Sequence, residues 1–407
     1  MADEDQIVEK FQFKTDIITA FDGSEQRSAL RSIPRRYLSY KYTSTAAWEA
    51  QYLRMLTSNQ QNSVMYIPMW HRATELREDI AVGAFYLKVP PKRLWGFRGS
   101  SSCWFYYGDS SASSGAYYDI LAYNQDGSIR VKKYISSVKE AGNMVLPVMQ
   151  AVVQPEDSMA AMFSNDTNMT MNFEIIVDPT FPSIPAFYDY TTNISYTPDR
   201  PTYTMDEKYN ALEILNIEPT WGDDISLGHT KNADKLDNET GPFSYYVKST
   251  IISEHRSMDI MTTQLEEADN IERFFFRVKG QLIPFYAPTW LNDLNIDKDI
   301  VNGSSYISVE FSQYYLYYAS NKNRKTIIIF LEDYTTRIYN ITAYTTYTDI
   351  DGVVHGKLLM SGLDESININ NIKMVSYLCR YRLTSDELEV KYSTTTIANV
   401  TLAMKEI

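Results

Sequence analysis

Tyr66-Ile67-Pro68-Met69-Trp70 and Tyr286-Ala287-Pro288-Thr289-Trp290 set the architecture, because the second stretch repeats the first 220 residues downstream. The match continues without a gap through Asp79-Ile80 and Asp299-Ile300, Gly83 and Gly303, Tyr86 and Tyr306, and Val89 and Val309. Upstream, Arg36, Thr43 and Gln61 pair with Arg256, Thr263 and Gln281 at the same displacement. Downstream, Ile120-x-Ala122-Tyr123 pairs with Ile341-x-Ala343-Tyr344 at 221, Asp126-Gly127 with Asp351-Gly352 at 225, and Asp157 and Ser164 with Asp386 and Ser393 at 229. A displacement that only grows, in small steps, is what insertions at surface turns produce. The chain therefore reads as one domain used twice. Tyr66, Pro68, Trp70, Asp79 and Gly83, with Tyr286, Pro288, Trp290, Asp299 and Gly303, are its repeated framework. The expected organisation is a first repeat over 1–178, a proline-punctuated, partly ordered connector over 179–242, and a second repeat over 243–407.

Composition supports strands. The 407 residues include 32 Tyr and 17 Phe against 16 Gly and 15 Pro, and aromatic side chains suit a pleated, half-buried surface. Tyrosine also suits contacts between chains, because its ring is apolar and its hydroxyl stays paired or wet. Local patterns fill in the rest. Residues 37–42 alternate as a strand. Residues 45–56 place Trp48, Tyr52, Leu53 and Leu56 on one helical stripe, with residues 265–276 as the counterpart helix and Lys279-Gly280 as its stop. Residues 25–31, followed by Pro34, read as a turn or loop. The Tyr-x-Pro-x-Trp pieces read as extended edges, since proline cannot donate in a central strand. Further strands are expected at 102–107, 117–123, 129–134, 307–318 and 325–330, tight turns at Asp126-Gly127 and Asp351-Gly352, and a closing strand pair in each copy at 159–177 and 388–404. The fold class is mainly β with a few helices, as two tandem antiparallel sandwich- or barrel-like domains, each with one packed helix.

The chemistry of catalysis is not written in local motifs. There is no Gly-x-Ser-x-Gly and no His-Glu-x-x-His. Cys103 and Cys379 lie far apart, in neither disulfide-framework nor metal-ligand spacing. His71 has Glu75 four residues on, but its repeat partner is Leu291, so a solvated or packed histidine is expected. Asp349-x-Asp351-Gly352 begins like a calcium loop, but Met360 stands where the bidentate Glu belongs, leaving a turn. Asp223-Asp224 and Glu266-Glu267 read as solvated acidic pairs. The net charge of −13 argues against binding duplex nucleic acid, which needs Lys and Arg to neutralise phosphates. The acidic start and the short apolar runs give no expectation of export or stable membrane insertion. No enzyme activity, cofactor or metal is expected.

The segment from Phe13 to Arg35, Phe-Lys-Thr-Asp-Ile-Ile-Thr-Ala-Phe-Asp-Gly-Ser-Glu-Gln-Arg-Ser-Ala-Leu-Arg-Ser-Ile-Pro-Arg, resembles the opening of virion structural proteins of tailed bacteriophages. Those tail and baseplate components carry a similar T-D-I … D-G-x-E-Q-R-x-A-L-R-x-x-P-R stretch before a β-rich domain. Residues 274–281, 285–290 and 382–390 are similar to the same group. The likeness covers most of the chain outside the connector, but Glu254-His255-Arg256 lacks the Asp-Gly-x-Glu-Gln-Arg lead-in. The resemblance implies a tail or baseplate ring subunit near the end of the tail tube, made in the host bacterial cytoplasm and resident in the virion tail. The implied partners are copies of itself in a six-fold ring and other tail proteins (tube, hub or fibre). Glu25, Arg27, Arg31 and Arg35 are then interface candidates, because guanidinium forks pair bidentately with carboxylates; bracing within the domain is the equal alternative for them. Trp70 and Trp290 read as core or loop anchors. The alternative function is a receptor- or carbohydrate-binding tail protein, for which residues 104–107 with Asp109 are the one suitable stretch.

Overall fold

The computed structural model describes residues 7–20, 24–44, 46–59, 63–106, 115–124, 126–154, 159–163, 166–176, 193–199, 201–222, 225–319, 323–360 and 363–407. The protein is mainly β. Its first half contains β1 (Ile7–Gln12), the hairpin β2–β3 (Thr15–Thr19, Glu25–Ala29), β4 (Arg35–Ser44), helix α1 (Ala47–Asn59), β5 (Val64–Pro68), β6 (Thr74–Glu75), β7 (Tyr86–Lys88), β8 (Ser102–Tyr106), β9 (Gly115–Tyr123), β10 (Ser128–Val131), β11 (Met144–Val153), β12 (Met159–Phe163) and β13 (Asp166–Ile175). A small hairpin, β14–β15 (Lys208–Tyr209, Leu212–Glu213), precedes the second half. That half contains β16 (Ser226–Leu236), β17 (Ser244–Thr262), α2 (Leu265–Val278), β18 (Phe285–Pro288), β19 (Tyr306–Glu310), α3 (Gln313–Ala319), β20 (Thr326–Leu331), β21 (Thr336–Thr348), β22 (Val354–Met360), β23 (Ile372–Leu383), β24 (Glu387–Tyr392) and β25 (Ala398–Glu406).

Pairings in the two halves correspond position by position. Arg36 faces Ile175 across β4–β13, and Arg256 faces Met404 across β17–β25. Pro68 faces Val148 across β5–β11, and Pro288 faces Leu378 across β18–β23. Each proline closes its strand, where its missing N–H removes no ladder bond. Two further framework pairs have matching roles. The Asp79 carboxylate accepts from the Ala141 N–H and that of Asp299 from the Ile369 N–H, both at 2.8 Å. Gly83 and Gly303 both have positive φ and donate to Ile135 and Leu363 carbonyls. At the Asp126-Gly127 turn φ is +87°, and a Cβ on Gly127 would lie 2.2 Å from the Val89 carbonyl oxygen, so glycine is required there.

One strand joins the halves. β1 pairs antiparallel with β4 on one side and with β24 on the other, so the ladder β16–β17–β25–β24–β1–β4–β13 runs on from half to half. Alternation in β1 turns Phe11 inward, and Phe13 follows it into the core of the second half, against Phe276 and Phe275 at ring distances of 5.3 and 5.4 Å. Burying each such ring contributes about 1.5–3 kcal/mol.

Several local expectations are corrected. Residues 25–29 are not a loop but strand β3, paired with β2 from Thr15↔Ala29 to Thr19↔Glu25. Residues 307–318 are not one strand: β19 ends at Glu310, and the Ser312 hydroxyl accepts from the Tyr315 N–H and opens α3. Helix α1 is not packed along its aromatic stripe, since Trp48 and Tyr52 are 68% and 53% exposed. The side chains of Leu53 and Leu56 lie outside the described residues. Within the connector, expected to be partly ordered, the described residues include docked apolar positions and a strand. Met205 and Ile214 dock on Trp290, Ile328 and Phe330, and Ser226–Leu236 forms β16.

Candidate functional site

The densest chemistry lies where α2 meets the first half. α2 begins in a capping box between Gln264 and Glu267 and ends at Lys279 in the left-handed region. Its apolar side (Leu265, Ala268, Ile271, Phe274, Phe275, Val278) packs in the core of its own half. Its charged side is sealed as well: Glu266, Asp269, Glu272 and Arg273 are each at most 3% exposed. Their partners come from the 3-10 turns Trp70–Arg72 and Pro91–Phe97, from Arg98 just beyond the second turn and from Tyr392 of β24.

Arg72 is the hub. Its guanidinium donates to Asp269 and Glu272, to the Tyr392 hydroxyl at 2.8 Å and to Glu9 at 3.4 Å. Glu272 also accepts from Trp95 Nε1 at 2.9 Å and from Arg98 at 2.7 Å. Glu9 pairs with Arg36 and lies 3.0 Å from His71 Nε2. The Trp95 ring sits between the guanidinium groups of Arg98 and Arg273, 4.2 and 4.3 Å from its centroid. Nearby, the Asp386 carboxylate accepts from Thr15 N, Thr15 Oγ1 and Gln281 N at 2.6–2.9 Å, pinning the end of β1 to the end of α2.

Electrostatics follow from burial and pairing. Burial pushes Glu9 upward, but Arg36 and Arg72 hold it well below the usual carboxylate range. Burial lowers His71 and leaves it neutral at neutral pH, despite its bond to Glu9. Burial pushes Asp269 up to about 6, with Glu272 adding to the shift and Arg72 opposing it. Asp269 therefore holds its proton more tightly folded than unfolded, and its contribution to stability declines as pH rises from about 4 to about 6. Glu9 acts oppositely: its contribution is present above about pH 4.5 and is lost as pH falls through its lowered value. In Asp269→Asn the first slope should vanish, so the melting temperature of the variant gains on that of the parent between about pH 4 and pH 7. Parallel melting curves over that range would refute the assignment.

A second sealed cluster lies within the second half. Arg324 donates to Glu254 at 2.8 Å and to Glu406 at 2.7 Å, and Arg256 donates to Glu254 and to the Thr289 carbonyl. General acids and bases must reach a substrate, whereas both clusters are closed to solvent and braced by counter-charges. Among the described residues no group of His, Cys, Asp or Glu is arranged to hold a metal, and no helix is long and apolar enough to cross a membrane.

The residues singled out from the sequence fall as follows. Glu25 and Arg27 pair with each other, Arg27 donates to the Gln281 carbonyl at 2.8 Å, and Glu25 lies within 4 Å of Arg382 and Lys405. The contact they make is between the halves of one chain. Arg31 reaches Gln12 at 3.5 Å, and Arg35 lies on the surface 3.7 Å from Glu174. His71 is packed, and Glu266 is not solvated but 3% exposed against Lys92 at 2.8 Å. Trp290 is buried, and Trp70 stands edge-on to Trp104. Asp349 accepts from Asp351 N and Val353 N, as a turn residue does. Cys103 and Cys379 are buried free thiols, each pushed up to about 12 by burial. Asp22-Gly23, Gln61, Tyr107, Asp109, Asp157, Ser164 and Asp223-Asp224 lie outside the described residues. Sequence reasoning missed Arg72, Glu9 and Trp95. Their signal was available only as charges on faces that a second half covers.

No protein-family model matches the chain, and no curated protein matches it.

Proposed function

We propose that the protein is a structural subunit of a bacteriophage tail or baseplate that assembles with copies of itself into a six-fold ring at the tail end. One observation carries the reading: the densest charged cluster, around Arg72, braces half against half instead of lining a cleft. The opening segment that resembles phage virion proteins belongs to this brace, with Phe13 in the core, Thr15 on Asp386 and Arg27 on Gln281. Such a rigid body suits a ring, in which identical contacts repeat until rotation closes them. Aromatic side chains on the outer surface, such as Trp48, Tyr52, Tyr245 and Tyr317, supply contact area of the kind enriched at interfaces. Mass photometry of the full chain should give one discrete oligomer, a hexamer. A chain that stays monomeric at all accessible concentrations would sink the reading.

A receptor- or carbohydrate-binding tail protein is the second reading. It is favoured by the Trp104–Tyr117 pair, stacked at 5.6 Å and 7°, with Tyr117 59% exposed. A monomer or trimer that binds glycans, and loses them on Tyr117→Ala, would favour it.

A further inference from the structure

The first half grips the second at three places, and the corresponding places on the second half stand open. Strand β1 pairs with β24; β16, which holds the place of β1 beside β17, has no second partner among the described residues. Hairpin β2–β3 lies on Gln281, Arg382 and Lys405. Its counterpart, the distal part of the β16–β17 arm, leaves Phe243 and Tyr245 57% and 60% exposed. The 3-10 turn Pro91–Phe97 places Trp95 on α2; α3, in the same place between β19 and β20 as that turn between β7 and β8, leaves Leu316 and Tyr317 49% and 63% exposed.

The gripped surface has an open counterpart too. Ala268, Glu272 and Phe275 of α2 are 0% exposed. At the displacement of 220 their places on α1 are held by Trp48, Tyr52 and Met55, which are 68%, 53% and 46% exposed. Where β24 is covered by β1, the equivalent strand β12 pairs among the described residues with β13 alone. One of the exchanges replaces a charged side chain with an aromatic one. Tyr52 stands where Glu272 meets Arg72, and no Arg occupies the matching position on the second half, which is Asn292.

We infer that the contact between the halves is repeated between chains: the β16 edge, the β16–β17 arm and α3 of one copy seat on the β12 edge and on Trp48, Tyr52 and Met55 of the next. The junction is heterologous, head to tail, and continues the geometry by which the first half already holds the second. A heterologous contact closes into a ring or runs on as a filament. Each added copy thus presents two similar half-to-half junctions, one covalently linked and one not. The inference rests on the ring reading above and adds which surfaces meet.

The test uses the full chain and two variants, Trp48→Glu/Tyr52→Glu on one face and Leu316→Glu/Tyr317→Glu on the other. These side chains are exposed, so thermal melts should superpose on the parent; if the first pair melts early, Trp48→Ser/Tyr52→Ser replaces it. Mass photometry over a concentration series should show the parent as a ring and each variant alone as a monomer. Their equimolar mixture should give a dimer and nothing larger, because it contains one intact pair of faces. Variants that still form rings would overturn the inference while leaving the ring reading intact. Variants that stay monomeric when mixed would also overturn it, since both faces would matter without facing each other. A parent that is itself monomeric would remove the ring reading, and with it this junction.

Discussion

Replacing Arg72 with Met should destabilise the protein by about 3–5 kcal/mol, because it strips the counter-charge from buried carboxylates and leaves their desolvation cost uncompensated. Glu9, Asp269 and Glu272 all accept from this one guanidinium, and each is at most 1% exposed. Arg36 and Arg98 still hold Glu9 and Glu272, so Asp269 is the group that loses its ion pair, and its second oxygen already lacks a hydrogen-bond partner. Because Arg72 belongs to the first half and Asp269 and Glu272 to the second, the loss should also loosen their coupling. Calorimetry is expected to show the transition lowered and broadened or split into two. A variant that melts as a single transition within about 1 kcal/mol of the parent would show that the cluster is dispensable to docking.

Arg324→Met should cost a similar amount, about 3–5 kcal/mol, but with a different signature. Its partners Glu254 and Glu406 are 2% and 3% exposed, and all three belong to the second half. Arg256 remains on Glu254, so the orphaned charge is that of Glu406. Burial already pushes this carboxyl above its ordinary value, with Arg324 the main opposing influence. Without Arg324 it should take up a proton on folding. The folded state then binds more protons than the unfolded one, and stability rises as pH falls toward the ordinary carboxyl range. The deficit of Arg324→Met should therefore shrink between about pH 7 and pH 5, with the coupling of the halves kept. A deficit independent of pH would assign the loss to packing, since the Arg324 guanidinium also lies 5.1 Å from the Tyr318 ring centroid.

The sequence was most legible where local pattern and repetition agreed. Pro68 and Pro288 end edge strands, Gly127 and Gly352 turn hairpins, and Asp79 and Asp299 accept from backbone at equivalent places, all for reasons that act over a few residues. It was least legible on α2. Glu266-Glu267 looked solvated because nothing near them in sequence announces Lys92, and Asp269 bonds an arginine 197 residues away. Helix α1 misled in the opposite sense: Trp48 and Tyr52 fall on one stripe as core residues do, yet among the described residues no element covers them. A helical stripe records that a face is meant to be buried without saying by what. The interface candidates Glu25 and Arg27 carried an ambiguity of the same kind, since a fork and a carboxylate pair equally well within a chain or between chains.

The register Ile7↔Tyr392 has a consequence for biosynthesis. β24 (Glu387–Tyr392) follows β1 (Ile7–Gln12) at a long distance in sequence, so one edge of β1 waits while the whole stretch between them is made. At a synthesis rate of about 5–20 residues per second, that interval is on the order of 20 to 80 seconds. An unpaired strand edge is a template for other nascent chains. Glu9 and Lys10 within the strand, with Lys14 just beyond it, make that waiting edge charged, and so less adhesive, until β24 arrives to close it.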